Sequence, residues 1–396
     1  MTKKFEMVSN RSPRKEKASL EFLNIDEAKK AASFHESFPE YEKTPLVELK
    51  ETAELIGVKD IFVKDESYRF GLNAFKVIGG SYAIGNYLAE KLGTSIDKLP
   101  YEKMISAEIK EKLGDITFIT ATDGNHGRGV AWTANRLKQK SVVLMPDGSS
   151  LERLENIKNE GADAWITKFN YDDSVREAKR LAEENGWVMV QDTAWEEYKK
   201  IPTWIIQGYS TMAYEAYTQL KEKPTHIFVQ AGVGSLASAV TGFFAKQYGA
   251  EKPKFIVVEP EKADCIFITA KAADGRIHNV TGKMDTIMAG LACGEPCTVG
   301  WEVLDSYVDY FISCHDEIAA NGMRILGKPV GKDQQIISGE SGAVTMGCVF
   351  EIMKNPELAE IRKELELNQD SVVLCFSTEG DTDKESYRNI VWGTGL

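Results

Sequence analysis

The sequence is short of positive charge. Its 48 Lys and Arg stand against 60 Asp and Glu, a formal net charge of −12 over 396 residues. Nucleic acid and anionic membrane surfaces both reward clustered cations, so neither is expected as a partner. Long apolar runs are also missing. No segment approaches the roughly 18 uncharged apolar residues of a membrane span, and the opening Met-Thr-Lys-Lys-Phe-Glu-Met has no apolar core of signal-peptide length. A cytoplasmic protein is the expectation. The five histidines are too scattered for a metal cluster. All six cysteines (265, 293, 297, 314, 348 and 375) fall in the last third, without the paired C-x-x-C spacing of a structural zinc site. Reduced, mostly buried thiols follow from that compartment. Cys265 and Cys293 each adjoin an acid- or glycine-rich segment, and whether they are linked is open at this level.

What the sequence does contain is enough apolar material, 43% of residues, for a large core, and a length that implies two domains or one large α/β unit. Residues 1 to about 20 read as a polar, basic, loosely held arm. Beyond them, β-branched runs alternate with helical patterns. Strands are expected at Asp60–Glu66, Ile116–Thr120, Ser141–Met145, Asp163–Thr167, Trp187–Gln191, His226–Gln230, Phe255–Glu259 and Ser371–Phe376, and a helix is expected to open at Ala194–Tyr198. That alternation predicts parallel β-α-β units whose strand ends face a ligand crevice.

Several stretches could carry chemistry there. Gly71-Leu-Asn-Ala-Phe-Lys76, followed by Gly79-Gly80, sets one lysine among apolar residues at the start of a helix. Desolvation there would disfavour the ammonium and free the amine for a Schiff base, whereas a solvated helix-terminal lysine would have no such use. Gly232-Val-Gly-Ser235 lies between a strand and a helix, where backbone amides and the helix dipole suit a phosphate. The same stretch with Ala237 and Glu259 also mimics a dinucleotide fingerprint. Asp123-Gly-Asn-His126 and Asp192-Thr193 follow strands and read either as helix caps or as site residues. Two strand-end carboxylates in one crevice would suit a cationic amine. His126 reads as a packed or capping residue, and Ser377-Thr378 could offer a hydroxyl to a pyridine nitrogen.

In their order, Lys64-Asp-Glu66, Ala74-Phe-Lys76 with Gly79-Gly80, Gly124-Asn-His126, Gln207-Gly208, Gly232 to Leu236, Val258-Glu-Pro260, Gly339-Glu-Ser-Gly342 and Ser377-Thr378 resemble the fold type II, tryptophan synthase β-like, pyridoxal phosphate enzymes. The resemblance covers nearly the whole chain. It implies an α/β protein of two parallel-sheet domains with the cofactor between them, a small domain near 85–196 inserted into a large one formed by 1–84 and 197–396, and a homodimer.

Within that fold, Phe70 to Lys76, Thr122 to Trp132, Gln191-Asp-Thr-Ala-Trp195, Ile201-Pro-Thr-Trp204, Met288 to Pro296 and Ser377 to Asp383 are similar to the diaminopropionate ammonia-lyases. Ordinary dehydratases carry a serine where this chain has Ala74 and a small residue where it has Asp123. The likeness implies that 2,3-diaminopropionate and water become pyruvate and two ammonia, on both D and L forms. Lys76, beside Phe75, would hold pyridoxal 5'-phosphate and act as one base, Asp123 would be the base on the other face, and Asp192 would orient the substrate amine. The amides of Gly232, Val233, Gly234, Ser235 and Leu236 would hold the phosphate, Asn125 the phenolic oxygen, and Ser377 or Thr378 the pyridine nitrogen. Glu340 is a further pocket candidate. The rivals are a serine/threonine dehydratase or β-replacement enzyme, a nicotinamide-dependent oxidoreductase, and a catalytically silent amino-acid sensor.

Overall fold

The computed structural model describes residues 5–12, 14, 16–122 and 124–393. In chain order its strands are β1 (Phe5–Ser9), β2 (Leu46–Glu48), β3 (Asp60–Asp65), β4 (Thr117–Ala121), β5 (Lys140–Met145), β6 (Asp163–Ile166), β7 (Val188–Met189), β8 (His226–Gln230), β9 (Lys254–Pro260), β10 (Tyr310–Cys314) and β11 (Val372–Ser377). They form two sheets. The larger runs β1-β10-β9-β8-β11-β3-β2, and the smaller runs β6-β5-β4-β7. The smaller sheet is wholly parallel, and the larger is parallel except for its two edge strands, β1 and β2.

The central strands of the larger sheet are apolar runs because both faces are covered. Successive side chains go to opposite faces, so Phe62, Leu374 and Phe376 join one hydrophobic core while Ile61, Val63, Val373 and Cys375 join the other. Five helices bear on the site: α1 (Val77–Lys91), α2 (Asn125–Arg136), α3 (Lys200–Gln219), α4 (Ser235–Tyr248) and α5 (Glu340–Lys354). Glycines set how closely three of them approach. A Cβ on Gly79 of α1 would stand 2.4 Å from the Tyr209 ring of α3, and one on Gly208 of α3 would stand 2.3 Å from the Ile78 carbonyl. On the other side of α1, a Cβ at Gly129 of α2 would meet Val77 Cα at 2.7 Å. The helix that begins just after Lys76 is thereby wedged between α2 and α3.

Beneath this lies a buried ion network. Lys64 of β3 donates to Glu215 at 2.7 Å, and Arg69 reaches Glu215 and Glu66, each at 2.8 Å. Thr44 and Tyr41 add hydroxyl bonds to Glu66 and Glu215. Two cations face two carboxylates, so the cluster is balanced where an unpaired charge would be costly.

Three sequence expectations are corrected. The start of the chain is not a loose arm throughout, since Phe5–Ser9 pairs antiparallel with β10, and Asn10 Nδ2 donates to the carbonyls of Asp305 and Val308. The expected strand Trp187–Gln191 shrinks to Val188–Met189. No helix opens at Ala194. Trp195 instead stacks on Tyr198 with ring centroids 4.4 Å apart, a bridge joins the same two residues, and the helix begins at Lys200. Among the described residues, no helix is long and apolar enough to cross a membrane.

Candidate active site

The carboxyl ends of strands from both sheets converge on one narrow cavity. Its lining includes Phe75 and Lys76 after β3, Asn125 at the start of α2, Asp192 beyond β7, Gly232 to Leu236 after β8, and Thr378 and Glu379 after β11. The lysine loop is pinned to the last of these: Phe75 N–H donates to the Thr378 carbonyl at 3.0 Å, and Ala74 bridges Glu379.

Lys76 Nζ donates to Asp192 Oδ2 at 2.8 Å. The expectation that apolar neighbours would discourage the ammonium is reversed. Burial does act against the charge, but the adjacent Asp192 carboxylate outweighs it and the Lys76 ammonium is favoured beyond that of an ordinary lysine. Burial opposes the Asp192 charge as well, yet Lys76 and then His126 hold that carboxyl down to about 2. The Asp192 side chain therefore pairs with the lysine and caps no helix, and its carbonyl accepts from Ser235 Oγ at 2.6 Å. His126 is packed, with Nε2 against the Val190 carbonyl at 2.8 Å.

The remaining expected residues fall as follows. Asn125 Nδ2 donates to Glu379 Oε2 at 2.6 Å. Gly234 takes the left-handed conformation, φ 92°, that lets the chain turn from β8 into α4. Thr378 lines the cavity and its hydroxyl accepts from Gln230 Nε2 at 2.9 Å. Ser377 does not line it, because its hydroxyl is turned to Ser338. The Glu340 carboxylate also lies off the cavity, accepting from Ser386 Oγ at 2.5 Å. Asp123 lies outside the described residues. Cys265 and Cys293 are not joined by a disulfide. Glu259 is buried and accepts from the amides of Ile266 and Phe267 at 3.0 and 2.6 Å, which consumes the carboxylate that a dinucleotide ribose would need.

The sequence reading did not single out Tyr209, Gln230, Ser341 or Glu379, all of which line the cavity. Glu379 was signalled only by adjoining Thr378, and Tyr209 only by following Gln207-Gly208. The hydroxyls of Tyr209 and Ser341 are buried and have no hydrogen-bond partner among the described residues.

Residues 38–378 match the family of pyridoxal-phosphate dependent enzymes. The diaminopropionate ammonia-lyase of Salmonella typhimurium is 50% identical over 380 residues, 95% of this chain and 94% of that protein. The chain belongs to the diaminopropionate ammonia-lyase family of pyridoxal-phosphate dependent enzymes. The crystal structure of the selenomethionine holo diaminopropionate ammonia lyase from Escherichia coli superposes with a TM-score of 0.92 at 48% identity, covering 98% of this chain and 97% of that one. The same Escherichia coli enzyme in complex with an aminoacrylate-PLP azomethine reaction intermediate gives a TM-score of 0.89 at 47% identity over the same shares. This family member is therefore a fold type II, pyridoxal phosphate-dependent carbon–nitrogen lyase, and the nicotinamide alternative is not favoured.

The residues present fit the cofactor. A partly buried lysine shares the cavity with the N-terminus of the 14-residue helix α4, whose first amides have no intrahelical acceptor. Tyr209 and Ser341 line the same cavity with hydroxyls that have no hydrogen-bond partner among the described residues, and burying such groups unpaired costs about 1–3 kcal/mol each.

Proposed function

We propose that this chain converts 2,3-diaminopropionate and water to pyruvate and two ammonia. The observation that carries the reading is the partly buried Lys76–Asp192 pair, 2.8 Å apart, in the cavity faced by Gly232 to Leu236. Pyridoxal phosphate, when bound, supplies the electron sink that makes the Cα–H bond acidic. Lys76 holds the cofactor and, once released, takes the Cα proton of one enantiomer. Asp123 serves the opposite face. Asp192 receives the cationic amine of the incoming substrate and keeps it charged and oriented. An amine leaves poorly unless protonated, so a carboxylate suits this substrate better than a hydroxy-amino acid. The amides of Gly232, Val233, Gly234, Ser235 and Leu236 hold the phosphate, Asn125 the phenolic oxygen, and Thr378, rather than Ser377, the pyridine nitrogen.

The same reading carries a small domain near 85–196 that closes over the substrate, a homodimer and a cytoplasmic location. The family resemblance supports the first two. Borohydride reduction of the loaded enzyme tests the chemistry: the cofactor mass should remain on the peptide containing Lys76, and its appearance elsewhere would refute the assignment. Asp123→Asn should remove activity on one enantiomer of diaminopropionate and spare the other. An equal loss on both would refute the two-base scheme.

A further inference from the structure

Tyr209 projects from α3 against Phe75, with ring centroids 4.8 Å apart, and its ring edge occupies the space left by Gly79. Both neighbours belong to the lysine segment. The tyrosine is 1% exposed and lines the same cavity as Lys76 and Asp192, and its hydroxyl has no hydrogen-bond partner among the described residues. A ring packed this closely against the lysine segment and almost wholly buried cannot swing its hydroxyl out to solvent. Among other titratable groups, Glu379 beyond β11 lines the cavity, Cys293 and Cys297, ahead of the helix Thr298–Tyr307, lie near Lys76 and Tyr209, and His126 lies near Asp192. After burial, the influences on Lys76 run in the order Asp192, Tyr209, Cys293.

Asp192 cannot serve Lys76 and a substrate ammonium equally well. When an amine takes that carboxylate, the lysine nitrogen needs a second partner in a cavity that admits little water. We propose that Tyr209 is a positioning residue for Lys76, its phenolic oxygen accepting a hydrogen bond from Nζ while the substrate amine holds Asp192. The inference rests on the reading above, in which Lys76 carries the cofactor and exchanges the Cα proton.

The test is Tyr209→Phe, which keeps the ring and removes only the hydroxyl. In the holoenzyme, kcat/KM for diaminopropionate should fall about 10- to 100-fold, the loss of one hydrogen bond to a charged group. The acid-side limb of kcat, which reports the substrate-bound enzyme, should move to lower pH by roughly one unit, because an acceptor that favours the cationic nitrogen is gone. The melting temperature should change little. An unmoved kcat limb would overturn the inference whether or not activity fell, since a purely structural loss lowers activity without moving it. A wild-type enzyme that never forms the Lys76-linked chromophore would overturn the underlying reading, and this inference with it.

Discussion

Lys76 and Asp192 are separated by 116 residues and follow strands of different sheets, yet Nζ and Oδ2 stand 2.8 Å apart. The pair joins the two sheets across the cavity, so whatever opens it also alters how the sheets meet.

Asp192→Asn should lower kcat on diaminopropionate by about 10²-fold or more, the usual scale for a lost proton-handling group. In enzyme stripped of cofactor it should also lower stability near neutral pH, by roughly 2–3 kcal/mol. Because the Asp192 carboxyl is held down to about 2, its contribution is full above the ordinary carboxylate pKa and disappears as pH falls from there through about 2. Thermal melts of the two proteins from pH 6 downward should therefore converge. A constant gap would show that the pair does not carry the difference.

Gly79→Ala should destabilise by about 1–3 kcal/mol, since its Cβ would sit 2.4 Å from Tyr209 and 2.8 Å from Ile205. Gly208→Ala should cost more, because the obstructing atom at 2.3 Å is the Ile78 carbonyl oxygen, which has no rotamer to escape into. Both should loosen cofactor binding, because α1 sets the position of Lys76. Melting temperature and cofactor absorbance read the two effects separately.

Much of the scaffold was legible because buried parallel strands are written as apolar runs. His226–Gln230 and Asp60–Asp65 needed only their own residues. The edge strand Phe5–Ser9 was not, because a half-exposed pentapeptide becomes a strand only when β10 offers it a free edge 301 to 309 residues away. Lys76 was singled out from its local sequence, but its charge state was misjudged because Asp192 determines it. Tyr209 enters the cavity only through a helix crossing at Gly79 and Gly208, which no local pattern states. The helix expected from Ala194 failed because stacking of Trp195 on Tyr198 closes a turn there.

Glu215→Gln should be among the most destabilising single changes, about 3–5 kcal/mol, because Lys64 and Arg69 would be left buried with one carboxylate between them. Burial opposes the Glu215 charge, but Arg69 and Lys64 together hold its carboxyl down to about 2. Wild-type stability from this group should persist above the ordinary glutamate pKa and be lost on acidification through about 2. Urea unfolding of the two proteins at neutral and acid pH checks both the size and the sign.

The most direct test of the account is to supply the purified protein with pyridoxal phosphate and measure ammonia and keto acid together. D- and L-2,3-diaminopropionate, serine and threonine should each be tried. The account predicts two ammonia per pyruvate from diaminopropionate and little product from the hydroxy-amino acids. Preference for serine or threonine, with one ammonia per keto acid, would contradict it and make the chain a dehydratase.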